Sequence, residues 1–215
     1  MQQILEGVTV VELGNGPLSG LVTMTLADFG ARVLWFEHGS SEADYRVWHR
    51  GKTRVGVNLA SEESQLSSDA QAIRKHIVVS ADVFITDLSE PTLKRLQLDW
   101  HSLQAVRGDL VQAQVSGFGE SNKFSHLAAT ADTLAADESL VAAAIGRMMV
   151  FEGVASRAGP VYPALKVGNH GASQALLAGI LAQLFNRERT SRGQLVRSST
   201  LRALTAYDLV GLGAS

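Results

Sequence analysis

The residue types able to do chemistry converge on Leu165-Lys166-Val167-Gly168-Asn169-His170-Gly171, where an irregular stretch meets a long apolar helix. Backbone N–H groups point outward at such a junction, and the helix dipole favours negative charge there. A carboxylate in this position would be poised as a nucleophile toward an activated acyl group. The chain carries Asn169 instead, an amide that donates and accepts hydrogen bonds but attacks carbonyls very poorly. His170 beside it differs from the other histidines only in its location and reads first as a polar residue at a helix start.

A second chemically suggestive segment is Gly14-Asn15-Gly16-Pro17, with Gly20 beyond it and Glu37 ending the next apolar run. In a dinucleotide fingerprint, glycines admit a pyrophosphate to a helix N-terminus and the acid binds ribose hydroxyls. Here the spacing is G-x-G-x-x-x-G, and Pro17 removes one of the N–H donors a pyrophosphate would use. A Gly/Pro strand-to-helix turn accounts for the segment without a cofactor. An NAD(P)-dependent oxidoreductase is the lesser alternative. His49, His76, His101 and His126 are isolated and show no metal-ligand spacing, so no metal is expected. Ser198, Ser199 and Thr200 lack a nucleophile elbow. Arg187, Arg189 and Arg192 complement the C-terminal end of the apolar helix.

The elements that must position these residues follow from periodicity. Val8–Leu13 reads as a strand, Leu18–Phe29 as a helix opened by Pro17 and closed by Gly30, and Arg32–Phe36 as a second strand. This βαβ unit predicts a parallel sheet. Strands are also expected at Arg54–Leu59, Asp82–Thr86 and Leu110–Val115. Helices are expected at Ser61–His76 with Ser61 as N-cap, near Pro91–Leu96 and at His101–Arg107. Beyond Gly117-Phe118-Gly119 the alternation stops. Helices are predicted at His126–Ile145, Gly171–Arg187 and about Arg197–Val210, with 153–168 irregular. The expectation is an α/β fold: a doubly wound, Rossmann-like parallel sheet over 1–119, then a helical segment over 120–215, within one unit.

Composition sets outer limits. The 215 residues suffice for one sizeable core, and 46% hydrophobic with 19% charged residues is ordinary for a globular chain. A net charge of −2 supplies no basic field for nucleic acid. The absence of cysteine removes disulfides and thiolate chemistry and fits a reducing compartment. No signal-peptide pattern opens the chain, and Ala172–Phe185 is too short for a membrane span, so a soluble, cytoplasmic protein is expected.

Several segments together carry a resemblance. Leu5-Glu6-Gly7-Val8, Gly16-Pro17, Leu26-Ala27-Asp28-Phe29-Gly30-Ala31-Arg32-Val33 and Glu37 are followed by Tyr45-Arg46 and Arg50-Gly51-Lys52. Ala81-Asp82-Val83, Leu93-Lys94-Arg95-Leu96, Gly117-Phe118-Gly119, Gly179-Ile180-Leu181-Ala182 and Arg192-Gly193-Gln194 complete the set. In this order and spacing the chain resembles the class III CoA-transferases, the CaiB/BaiF family, which includes 2-methylacyl-CoA racemases. The resemblance implies movement of CoA between carboxylic acids through an aspartyl anhydride and an aspartyl-CoA thioester, with coenzyme A or acyl-CoA as substrate.

By the same resemblance, the family's catalytic aspartate falls at Asn169, and the racemase branch's histidine-aspartate pair falls at Ala131 and Asp132. Gly117, Phe118 and Gly119 form the glycine-rich turn. His38 lies where many members place an arginine beside the adenine, and Val57 lies in the adenine pocket. Asp87 stands where an asparagine often meets the phosphate region, where an acid would repel the diphosphate. Leu88 follows it, and Arg95 matches an arginine near the pyrophosphate. Family chains are considerably longer and form interlocked dimers. If that fold is kept, a chain stopping at Ser215 is expected to leave its last helix and one sheet edge without their usual cover, which would favour association. The expected function is a family III-like transfer scaffold, impaired or partner-dependent. The alternative is a non-catalytic scaffold or regulatory subunit of a full-length homologue, with a homodimer or heteromer as the assembly.

Overall fold

A computed structural model describes residues 3–14, 16–38, 47–59, 67–119, 137–149, 158–162 and 165–207. The strands are β1 (Thr9–Leu13), β2 (Arg32–His38), β3 (Lys52–Val57), β4 (Val83–Thr86), β5 (Val111–Ser116) and β6 (Leu195–Ser199). The helices are α1 (Pro17–Asp28), α2 (Ser68–Ser80), α3 (Glu90–Arg95), α4 (Trp100–Gln104), α5 (Glu138–Ala144), α6 (Val167–Thr190) and α7 (Thr200–Tyr207). All pairings in the six-stranded sheet are parallel, in the order β3-β2-β1-β4-β5-β6. This is the doubly wound order, whose direction reverses between β1 and β4.

Strands covered on both faces must be apolar at odd and even positions alike. Val10, Val33, Val83 and Val111 pack with Leu18, Val22, Leu26, Ala172, Leu176 and Ile180 under α1 and α6. Val11, Leu34 and Phe84 pack with Ile73, Ile77, Leu93 and Leu103 under α2, α3 and α4. A smaller cluster joins Phe118, Val141, Ala142 and Leu204.

Helix boundaries follow caps. Gly16 and Pro17 open α1, and the Ser67 Oγ accepts the Ala70 N–H at 3.2 Å to open α2. The expected start of that helix at Ser61 lies outside the described residues. The apolar helix starts earlier than its periodicity suggests, so Asn169 sits within the first turn of α6 rather than ahead of it.

The largest departure is near the end. Residues expected to begin a helix at Arg197 form β6, which pairs with β5 from Gln112↔Leu195 to Ser116↔Ser199, and α7 starts only at Thr200. Sheet pairing overrides local preference here. Gly193 makes the entry possible: its N–H donates to the Gly108 carbonyl at 2.8 Å, and a Cβ on it would collide with the Leu110 carbonyl.

Candidate functional site

The start of α6 is crowded and polar. An α-helix leaves its first N–H groups without intrahelical acceptors. Here the Gly168 N–H donates to Glu138 Oε1 at 3.1 Å, and the Asn169 N–H donates to Glu138 Oε2 at 2.7 Å. Glu138 lies at the first position of α5, where Asp137 caps the helix by accepting the Ser139 N–H at 2.8 Å. Its carboxylate therefore sits across the α6 N-terminus, 2% exposed. Asn169 is 1% exposed, and its Oδ1 accepts from the Thr200 Oγ1 at 3.1 Å.

Small residues permit this closeness. A Cβ on Gly168 would come within 2.8 Å of Leu204 and Thr200 side-chain atoms, and one on Gly171 within 2.6 Å of the Tyr207 ring. Ser173 and Ser198 complete the anchoring, donating to the Leu18 and Ala172 carbonyls at 3.0 and 2.9 Å. The Gly117-Phe118-Gly119 turn belongs to the same neighbourhood. Phe118 packs with Val141 and Leu204, the Leu201 N–H donates to the Gly117 carbonyl at 2.9 Å, and Gly119 takes φ +74°. The expected site residues Asn169, Gly117, Phe118 and Gly119 thus gather around α5, α6 and α7. Asp132, with Ala131, lies outside the described residues, as do Tyr45 and Arg46.

Glu138 escaped the sequence reading. Its visible signal was an acidic helix start, Asp137-Glu138-Ser139. Nothing local links it to an N-terminus about thirty residues later.

The positions expected to cradle CoA lie at the carboxyl edge of the sheet. His38 ends β2 and pairs in register with Val57, which ends β3. Asp87 and Leu88 follow β4, and Arg95 ends α3 on the surface. Leu88 is buried in the α2–α4 layer, with its N–H donating to Thr86 Oγ1 at 3.1 Å. Open α/β sheets bind ligands in the crevice at this edge, where strand order reverses. In this chain that point lies between Gly14–Gly16 and Asp87.

Asp87 turns toward α1. Its Oδ2 accepts the Gly16 N–H at 3.0 Å and the Ser19 hydroxyl at 3.1 Å. Burial pushes its carboxyl up to about 6, and the negative charge of Glu12 adds to the rise, while the two donors oppose it. Glu12 itself is fully buried, paired with Lys52 at 2.8 Å and accepting the Thr23 hydroxyl at 2.7 Å. Burial lowers the Lys52 ammonium, against the pull of Glu12. His49 stacks on Trp35 with ring centroids 3.7 Å apart, and burial and then Lys52 push its imidazole below the usual range. Glu37, the acid of the dinucleotide-like pattern, is paired with Arg54.

A cleft of about 780 Å³ lined by His101, Asp109, Arg192 and Gln194 lies at the opposite, amino edge of the sheet. It contains none of these residues. Among the described residues, no group of three or more His, Asp or Glu could hold a metal ion. No helix there is long and apolar enough to cross a membrane.

Comparison with known proteins narrows what this arrangement belongs to. Human alpha-methylacyl-CoA racemase is 30% identical over 204 residues, covering 94% of this chain and 49% of its own length. The succinyl-CoA–D-citramalate CoA-transferase of Chloroflexus aurantiacus is 28% identical, covering 89% of this chain and 48% of its own length. The succinyl-CoA–L-malate CoA-transferase alpha subunit of that organism is also 28% identical. The chain spans about half the length of the curated relatives it matches. Among solved structures, a CaiB/BaiF family protein from Brucella suis superposes with TM-score 0.74 at 22% identity, over 97% of this chain and 56% of that one. The Mycobacterium tuberculosis protein Rv3272 superposes with TM-score 0.80 at 20% identity, over 99% and 57%. At those identities the likeness is one of fold. The sequence model of CoA-transferase family III matches residues 5–208, nearly the whole chain, and the chain belongs to that family.

Proposed function

We propose that this chain is a family III CoA-transfer scaffold, engaging a CoA thioester and a small carboxylic acid, whose own residue 169 does not perform the transfer. The observation that carries the reading is the state of Asn169. It is an amide, 1% exposed, held through its Oδ1 by Thr200 and through its backbone by Glu138. In the covalent route that the family resemblance implies, an ionised carboxylate attacks the thioester carbon and expels the thiolate. An amide nitrogen, its lone pair delocalised into the carbonyl, cannot take that role. The nearby carboxylate, Glu138, is engaged by two backbone donors.

Turnover in this reading depends on a partner chain that brings its own carboxylate. The alpha-subunit name of one Chloroflexus relative favours a two-chain arrangement over a solitary enzyme. The test incubates the pure chain with a panel of acyl-CoA donors and acid acceptors, alone and with a full-length homologue. The expected result is negligible exchange alone and transfer above background for Asn169→Asp. Rapid exchange by the unmodified chain, or an acyl or CoA adduct trapped on residue 169, overturns the reading.

A further inference from the structure

We propose that Asp87 is a resident anion: its carboxylate fills the cradle at the start of α1 and excludes phosphate or diphosphate groups from it. The cradle has the parts of an anion site. Its donors are the Gly16 N–H and the Ser19 hydroxyl, both directed at Asp87 Oδ2 at 3.0 and 3.1 Å. Its walls are Gly14 and Gly16, and a Cβ on either would lie 2.5 or 2.8 Å from an Asp87 carboxylate oxygen. Glycines in such a turn ordinarily let a ligand phosphate approach the backbone. Here they make room for a side chain of the chain itself.

The surroundings reinforce the exclusion. Pro17 contributes no N–H, so the start of α1 offers one donor fewer than a helix opened by another residue. The Gly14 carbonyl is taken by the Trp35 indole at 2.8 Å. Glu12 adds a second negative charge beneath α1, and Lys52, the nearby cation, is bound to Glu12. An entering phosphate would meet the Asp87 carboxylate and would have to displace its two formed hydrogen bonds. A diphosphate-bearing ligand in the β1/β4 crevice must therefore lie away from the α1 N-terminus.

The experiment uses inorganic pyrophosphate, which carries no acyl group. Its outcome is therefore independent of whether residue 169 supports transfer. Calorimetric titration at neutral pH compares wild type, Asp87→Ala and Asp87→Ala combined with Ser19→Ala. The expected result is pyrophosphate affinity at least about tenfold higher in Asp87→Ala than in wild type, with part of the gain lost when Ser19 is also removed. Equal affinity in wild type and Asp87→Ala overturns the proposal. So does a gain insensitive to Ser19→Ala, which would locate the anion elsewhere. A measurement on the unmodified chain stands even if the variants misfold: the Gly16 amide resonance should not move as pyrophosphate is added, and a saturable shift there overturns the proposal.

Discussion

Glu138 holds Asn169 by the backbone, its Oε2 accepting the residue 169 N–H at 2.7 Å while its Oε1 accepts the preceding one at 3.1 Å. A helix terminus offering positive potential has thus acquired its negative charge from a neighbouring helix rather than from the residue seated there. Glu138→Ala should remove two charge-assisted hydrogen bonds and leave buried N–H groups unpaired. Stability should fall by about 3–5 kcal/mol. Urea denaturation measures it, and a loss under about 1 kcal/mol would show that the bonds contribute little.

The same relationship bears on Asn169→Asp. The backbone donors that would lower the pKa of a new carboxylate are already taken by Glu138, and burial and like charge both raise it. The carboxyl introduced by that substitution should therefore titrate above the ordinary range. Carbon-13 NMR titration of the labelled carboxyl reads this directly; a value at or below the usual range contradicts the argument.

Asp87 makes stability depend on pH. Its folded pKa of about 6 lies above the ordinary value of 3.8, so the folded chain holds the proton more tightly than the unfolded one. Its contribution improves as pH falls from about 6 toward about 4, and the full cost of the buried charge is felt above that window. The implied ceiling is about 3 kcal/mol. Asp87 keeps part of its surface exposed, so about 1–2 kcal/mol is expected. Asp87→Asn should be more stable than wild type at neutral and mildly alkaline pH and should lose the slope between about 4 and 6. Parallel slopes in the two proteins would remove Asp87 as the cause.

The Lys52–Glu12 pair, with both side chains fully buried, should be costly to break from one side. Lys52→Met leaves an uncompensated charge on Glu12 and should destabilise by about 3–5 kcal/mol. Lys52→Met with Glu12→Gln should recover part of that loss. A double variant no better than the single one would show that packing, rather than charge, governs the site.

Gly168 tests how tightly α6 and α7 pack. A methyl group there would meet Leu204 and Thr200 within 2.8 Å. Gly168→Ala should cost about 1–3 kcal/mol through overpacking despite the better helix propensity of alanine. A rise in Tm would mean that α7 moves aside freely.

Much of this architecture was readable from local pattern. The β1–α1–β2 unit announces itself through β-branched runs broken by Gly14, Pro17 and Gly30, because strand period, helix start and helix stop are each written within a few residues. The α6 helix was visible for the same reason, though its apolar pattern does not mark the first turn that contains Asn169. Elements defined across long stretches of sequence were not legible. Arg197, Ser198 and Ser199 have no strand-like alternation, and only the exposed edge of β5 makes them one. Glu138 is chosen by the position of α6. Gly14, Gly16 and Pro17 read as a strand-to-helix turn, but nothing local shows that the Gly16 N–H donates to the Asp87 carboxylate 71 residues later.

The late arrival of β6 governs how the molecule can assemble. Arg197 in that strand meets Gln114 in β5 across 83 residues of chain, and Ser173 in α6 meets Leu18 across 155. Closing such distant partners costs entropy before any contact repays it. Until β6 is made, the β5 edge has no partner in the sheet. Refolding should therefore be slow for a chain of this size.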